Sequence, residues 1–369
     1  MSETEKTEKK GRQIKWYRTP IDRELLTQLS QRSDLLGFRQ VAGYYGLQFG
    51  LFGLALYSFG HWHWAITAAC VYGYGIVASF GGGCATHELT HNTVFRTKWL
   101  NETFSKFAGL ISWWSPVWSQ ISHLRHHAYT LHQPDDLEVT QPMKMPRGPW
   151  TFFKIVVTDP IAFFNTVRNT VKTARGKLNT KWDEHLFGDD PERHQKLKNF
   201  ARRTLAIHAT VLVACVTLAV IYKLWFLLLV PLMFSYGPFM GAWLVFLCGM
   251  PQHYGLVDSV ADFRLSCRTY TTNPLCGLLY WQMQYHIDHH MFPTVPCYNL
   301  KKLHKAIRHD LPPTPQGLWA CWRDMRAIAK KQRENPNYLH RVTLPQDAMK
   351  DAPATEGEGA LSTATAVAN

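Results

Sequence analysis

Four stretches of the chain carry almost no polar side chain. Residues 41–59 and 65–85 are uncharged and apolar, as are 205–222, interrupted only by His208, and 224–251. Each is near or above the ~18 apolar residues that read as a membrane-spanning helix. They come as two close pairs, joined by residues 60–64 and by Lys223. One such stretch would suit a buried helix of a soluble protein. Four in paired order predict an all-α integral membrane protein with four transmembrane helices in two hairpins. No alternation of apolar and polar positions runs long enough to predict a sheet.

Between and around the spans the pattern becomes amphipathic. Thr19-Pro20-Ile21-Asp22 reads as a helix start, with Thr19 as N-cap and Pro20 in the first position. Leu25, Leu26, Leu29, Leu35 and Leu36 supply an apolar face. Near the other end, Leu300, Leu303 and Ile307 stand against Lys301, Lys302, Lys305 and Arg308. Either helix fits the cytosolic leaflet or the protein's own cytosolic part. Residues 104–121 and 149–167 are apolar enough to lie on the membrane surface. Residues 1–18 read as a mobile charged arm and 19–344 as one membrane domain. Residues 345–369 have few large apolar side chains and read as a disordered tail.

Composition alone hides this. Hydrophobic residues make up 46% of the 369, yet mean hydropathy is only −0.19. A net charge of +13 would suggest nucleic acid if the basic residues formed a patch. They do not. Nine Lys/Arg lie in 1–40, seventeen in 86–204 and thirteen after 251, so 39 of the 40 fall on one side of two hairpins. That is the positive-inside pattern, with both termini and the long central segment in the cytosol. Nucleic acid drops out as a partner. The eight cysteines contain no C-x-x-C and suit a reduced compartment. Residues 1–15 are too polar for a cleavable signal peptide, leaving the first span to direct insertion.

Candidate chemistry lies in the histidines. His87-Glu88-Leu89-Thr90-His91 matches H-E-x-x-H, a helical zinc site with a glutamate base. His123, His126 and His127 form H-x-x-H-H, and His286, His289 and His290 form it again. On a helix, residues i, i+3 and i+4 share a face, so each triplet presents three imidazoles to one small region. Eight are too many for one tetrahedral zinc and suit two metal ions. His253 is a ninth candidate, because a 28-residue helix over 224–251 would overhang the ~30 Å hydrocarbon core. A zinc protease would need another ligand, usually a carboxylate on a span, and the spans hold no Asp or Glu. Glu88 then reads as a supporting or surface carboxylate. Trp113, Trp114 and Trp118 fit an interfacial belt better than a lipid tunnel.

With "HELTH", "HLRHH" and "YHIDHHMFP" in that order, the chain resembles the membrane fatty acid desaturase and hydroxylase superfamily from about Gln40 to Leu311. "HHAYTLHQPDDLEV" is similar to the family's threonine-and-acid stretch, with Leu131 and His132 departing from it. "QHYG" resembles an extra-histidine element of the alkane-hydroxylase branch, whereas the H-x-x-H-H spacing matches desaturases. The resemblance implies two iron ions, O2 as co-substrate, and a lipid or other long-alkyl substrate. It implies a separate electron donor of cytochrome b5 or ferredoxin type with its reductase, since neither end is long enough for a fused haem module. Metal-bound imidazoles usually hand their other N–H to a carboxylate or carbonyl. Asp135, Asp136, Asp258 and Asp288 are the candidates for that role. The expected product is an alkene, with alkyl hydroxylation as the alternative. A desaturase-like scaffold and a membrane zinc hydrolase are more distant readings. The active site is expected in the cytosol, on the endoplasmic reticulum of a eukaryote or the inner membrane of a bacterium.

Overall fold

The computed structural model describes residues 13–345. It is helical, with only three isolated β-bridges and no strand among the described residues. The 345–369 tail lies almost wholly outside them, as do residues 1–12. Residues 13–18, expected in the mobile arm, instead run extended over the protein, with the Tyr17 amide bonded to the Ala261 carbonyl at 2.9 Å.

The first helix among the described residues, α1 (Arg23–Leu29), starts later than expected. Asp22, not Thr19, caps it, accepting from the Leu25 amide at 2.8 Å. The buried Thr19 hydroxyl is drawn away to Asp310 at 2.6 Å. Then α2 (Asp34–Ser58) and α3 (Trp64–Thr90) form the first hairpin. Tyr44 of α2 donates to the Val77 carbonyl at 2.9 Å, and the Ser58 and Thr67 hydroxyls meet at 2.8 Å beside the turn. Near its C-terminal end α3 passes through a π-helical turn, Gly81–Thr86, before the short α-turn His87–Thr90. Gly82 eases the packing there. A Cβ on it would stand 3.2 Å from Trp114, so the absence of a side chain lets the corner between the next two helices press onto α3.

Those helices are α4 (Lys98–Ile111) and α5 (Pro116–Tyr129). After a loop come α6 (Pro149–Val156), α7 (Pro160–Ala174), α8 (Lys181–Phe187) and the long α9 (Pro191–Tyr222). Among the described residues, only α3 and α9 are both long and apolar enough to cross a membrane. The fourth apolar stretch is not one helix. It divides into α10 (Trp225–Phe239) and α11 (Trp243–Gln252). Gly237-Pro238 tightens the backbone to a 3-10 turn, and Gly241, with φ +60°, turns it away. The expected continuous 28-residue overhang is therefore absent. The broken backbone is satisfied by the turn between α6 and α7. Gly241 donates to the Val157 carbonyl at 3.0 Å, and Asp159 to the Phe239 carbonyl at 2.9 Å. Part of the 149–167 segment is thus engaged by protein rather than lying free on a surface.

The rest of the chain forms a cap of short helices: α12 (Phe263–Ser266), α13 (Pro274–Leu279), α14 (His286–Met291), α15 (Leu300–Ile307) and α16 (Leu318–Glu334). Leu300, Leu303 and Ile307 are fully buried, so α15 turns its apolar face to the protein. Their cluster continues through Leu89, Phe95, Tyr280, Trp281 and Met291, joining the end of α3 to the cap.

A candidate metal centre

The π-turn in α3 precedes His87 directly. Its extra residue shifts the helical phase, and such turns recur at functional sites. It delivers His87 and His91 to the face that meets α5. There Ser115 caps the helix by accepting from the Trp118 amide, and Pro116 occupies the first turn. The helix is thereby fixed from its start, and it carries His123, His126 and His127 inward. α14 supplies His286, His289 and His290, and His253 follows α11.

These nine side chains gather into two groups. One holds His87, His91, His123, His127 and His289, and the other His126, His253, His286 and His290. One nitrogen from each residue lies within 4.8 Å of all the others in its group. The triplets do not each serve one region, as their spacing suggested. The i, i+4 partners stay together, while the i+3 residue, His126 or His289, crosses to the other group. The groups adjoin where His127 and His290 stack at 4.2 Å between ring centroids.

The arrangement fits metal ions. Within the groups Nε2 atoms face one another at 2.8 Å (His123–His127), 3.1 Å (His127–His289), 2.9 Å (His253–His286) and 3.1 Å (His286–His290). Two imidazole nitrogens bound at right angles to one ion at ~2.1 Å would stand about 3 Å apart. The Nε2 atoms of His87 and His91 are buried with no hydrogen-bond partner among the described residues. Orphaned acceptors in an interior are costly unless something outside the protein's own hydrogen-bond inventory occupies them.

On the other side of the rings, Nδ1 is held. Glu138 meets His123 at 3.0 Å, Asp136 meets His126 at 2.8 Å, and Glu88 meets His87 at 3.0 Å. The Ser266 carbonyl accepts from His253 at 2.9 Å. The Gln252 amide lies 3.2 Å from His286 Nδ1, and the Thr130 hydroxyl 3.2 Å from His290 Nδ1. A carboxylate or carbonyl that takes the Nδ1 proton fixes the tautomer and leaves the Nε2 lone pair free for a metal.

Burial and then neighbouring imidazoles hold His123, His127, His286 and His290 well below their usual values. Burial, then His126, lowers His253 to about 3. These rings are neutral, as ligands must be. His126 differs. Its burial acts downward, but the hydrogen bond and charge of Asp136 outweigh that and raise it.

Of the four acidic residues named from sequence, only Asp136 supports a cluster histidine. Asp135 pairs with Arg125 at 3.2 Å. Asp288 is buried but accepts from Thr269 at 2.9 Å and meets His304 at 3.1 Å. Asp258 has no hydrogen bond to a cluster histidine among the described residues. Glu138, Ser266, Gln252 and Thr130 also support cluster histidines and carry no local sequence signal for that role. Glu138 stood at the end of the quoted acidic stretch, but it lies in a loop, where no periodicity marks a direction.

Trp113 and Trp118 are engaged by protein. Trp113 donates to the Ser235 carbonyl and Trp118 to Asp183, each at 2.8 Å. With Trp114 they line one wall of a cavity of about 300 Å³ whose other wall includes Asn169, Thr173 and Asn179. His208 is satisfied by Ser235 and the Leu110 carbonyl, and His61 is exposed in the α2–α3 turn.

A family model described as "Fatty acid desaturase" matches residues 18–322. The Delta(6)-fatty-acid desaturase fat-3 of Caenorhabditis elegans is 26% identical over 263 residues, covering 66% of this chain and 58% of the relative. The chain therefore spans less than two thirds of that relative's length.

Proposed function

The chain belongs to the fatty acid desaturase family, and on that premise we propose that it is an O2-dependent membrane di-iron oxidase that introduces a double bond into a fatty acyl or other long alkyl chain. The observation that carries this reading is the pair of imidazole groups, five and four, with their carboxylate and carbonyl supports. His87, His91, His123, His127 and His289 would hold one iron, and His126, His253, His286 and His290 the other. Bound iron supplies the power to reduce O2 and to take hydrogen from an unactivated C–H bond. The protein supplies position, tautomer control and a largely buried setting. In the overall reaction two hydrogens leave neighbouring carbons. Together with two electrons and two protons from a donor system, they convert O2 to two waters.

A hydroxylase is the second reading, and one observation favours it. His253, from the "QHYG" element, lies within the second imidazole group. Oxygen-18 gas decides between them in a host expressing the chain. A main product lighter by two hydrogens and free of label is expected. A main product carrying one oxygen-18 atom would make the enzyme a hydroxylase.

The proposed topology has four spans, with residues 1–40, 86–204 and 252–369 on the cytosolic side. Its support is the distribution of Lys and Arg. The lengths of α3 and α9 and the pairing of α2 with α3 are consistent with it. A break between α10 and α11 at membrane depth would need its backbone satisfied by protein, and the α6–α7 turn does satisfy it, so in this topology that turn dips into the membrane from the cytosolic side. The compartment would be the endoplasmic reticulum or a bacterial inner membrane. A tag inserted beside the exposed His185 should be reached by reagents only from the cytosolic side. Labelling from the opposite side would overturn the arrangement.

A further inference from the structure

The segment 13–19 is a strap across the mouth of the metal centre. It is pinned by groups that have no part in holding metal. Tyr17 and Thr19 both hydrogen-bond Asp310, at 3.0 and 2.6 Å. The buried Arg264, bonded to Asp262 and Asp310, lies 3.7 Å over the Tyr17 ring. These contacts fix the residue between them and the surface. Trp16 stacks on Phe263 at 4.1 Å with the planes 9° apart, and its Nε1 donates to the Ala128 carbonyl at 3.0 Å. The Phe263 ring in turn lies 5.3 Å from that of His290.

Beside this stack opens a cavity of about 480 Å³ whose walls include Trp16, Arg18, Phe263, His127 and His290. His127 and His290 belong to different imidazole groups and stack on each other. His127 is also one of only two cluster histidines that are not fully buried. An unbroken series of aromatic rings thus runs from the strap to the junction of the two groups. Lys15 and Arg18 are exposed at its outer end.

We propose that Trp16 is the electron port of the enzyme, and that the acidic face of a one-electron carrier protein docks on the rim formed by Lys15 and Arg18. The proposal rests on the metal-centre reading above. A lipid substrate arrives from the bilayer, whereas a water-soluble carrier reaches only the aqueous face, where the strap lies. At each encounter the carrier would give up one electron, and the centre with iron bound would take it up. Two encounters deliver the pair that the reaction with O2 consumes, and no bond in the protein forms or breaks. Opposite charge at the rim would steer the carrier and make the rate depend on ionic strength. Trp16 acts through Phe263 and His290, so it is a positioning residue.

The test uses the full chain loaded with iron in detergent. It is mixed anaerobically with a reduced, acidic haem domain of the cytochrome b5 type, and haem oxidation is followed by absorbance. Trp16→Leu should slow haem oxidation by about tenfold or more, with Trp16→Phe close to wild type. Iron content and reduction by dithionite should be unchanged in both. Lys15→Glu combined with Arg18→Glu should remove most of the salt dependence. Wild-type haem oxidation in Trp16→Leu would overturn the port. So would loss of iron or equally slow dithionite reduction, because Trp16 would then be packing alone. If wild-type protein holds no iron, the metal-centre reading itself fails and the port fails with it.

Discussion

Replacing His253 by alanine should lower bound iron from about two ions per chain to one or none, because the two groups share helices, and reduce turnover at least about a hundredfold. The reason is position. His253 Nε2 stands 2.9 Å from His286 Nε2, and its Nδ1 is bonded to the Ser266 carbonyl, so its ring has one nitrogen fixed and the other aimed into the group of four. That group has no spare imidazole to take its place. His126→Ala should be as damaging, since His126 belongs to the same group. His61→Ala is the control, because that ring lies exposed in the α2–α3 turn and stacks only on Tyr57. Iron analysis beside product formation reads the outcome. Full iron and full turnover in His253→Ala would leave eight ligands and remove "QHYG" from the site.

Asp136→Ala should weaken iron binding by about ten- to a hundredfold without touching a ligand. The fully buried carboxylate holds His126 Nδ1 at 2.8 Å and also accepts from the Leu131 amide at 2.8 Å and the Glu138 amide at 2.9 Å. Its loss frees the His126 ring and strands two amides, each costing about 1–3 kcal/mol if left unsatisfied. Glu138 also shifts, and with it the support of His123, so the damage reaches both groups. Asp136→Asn keeps an acceptor oxygen and should recover part of the loss, whereas Asp258→Ala should bind iron like wild type. Iron titration with a competing chelator measures all three. Wild-type affinity in Asp136→Ala would show that His126 needs no such partner.

The histidines were legible because helical spacing is local. His87/His91, His123/His127 and His286/His290 are each one turn apart, and the sequence alone says that such pairs share a face. What spacing could not say is that His126 and His289 cross between groups, since that depends on how α5 and α14 pack. Supporting acids were legible at Asp136 and, in part, at Glu88, which the sequence left between a supporting and a surface role and which meets His87. Asp288 looked well placed inside "HIDHH", but on a helix it points away from its histidine neighbours and finds His304 instead. Glu138 was invisible for the opposite reason, because a loop has no period from which to read direction. Hydropathy marked 224–251 as apolar but does not register helical continuity. The interrupting residues, Gly237, Pro238 and Gly241, were present and carried no charge to draw notice. At the N-terminus, Thr19 obeyed the local rule for a cap and was taken by a distant partner, Asp310, that no local rule contains.

If the two groups hold iron as proposed, the crossing of His126 and His289 would make assembly of the centre a concerted event. Each of α5 and α14 contributes to both groups, so an ion entering either one would immobilise the two helices on which the other depends. The ordering cost of the second group would then be largely met before its ion arrived, which would be positive coupling between the two sites. Half-filled chains should be scarce during loading, and a chelator that strips one ion should release the second more readily than the first.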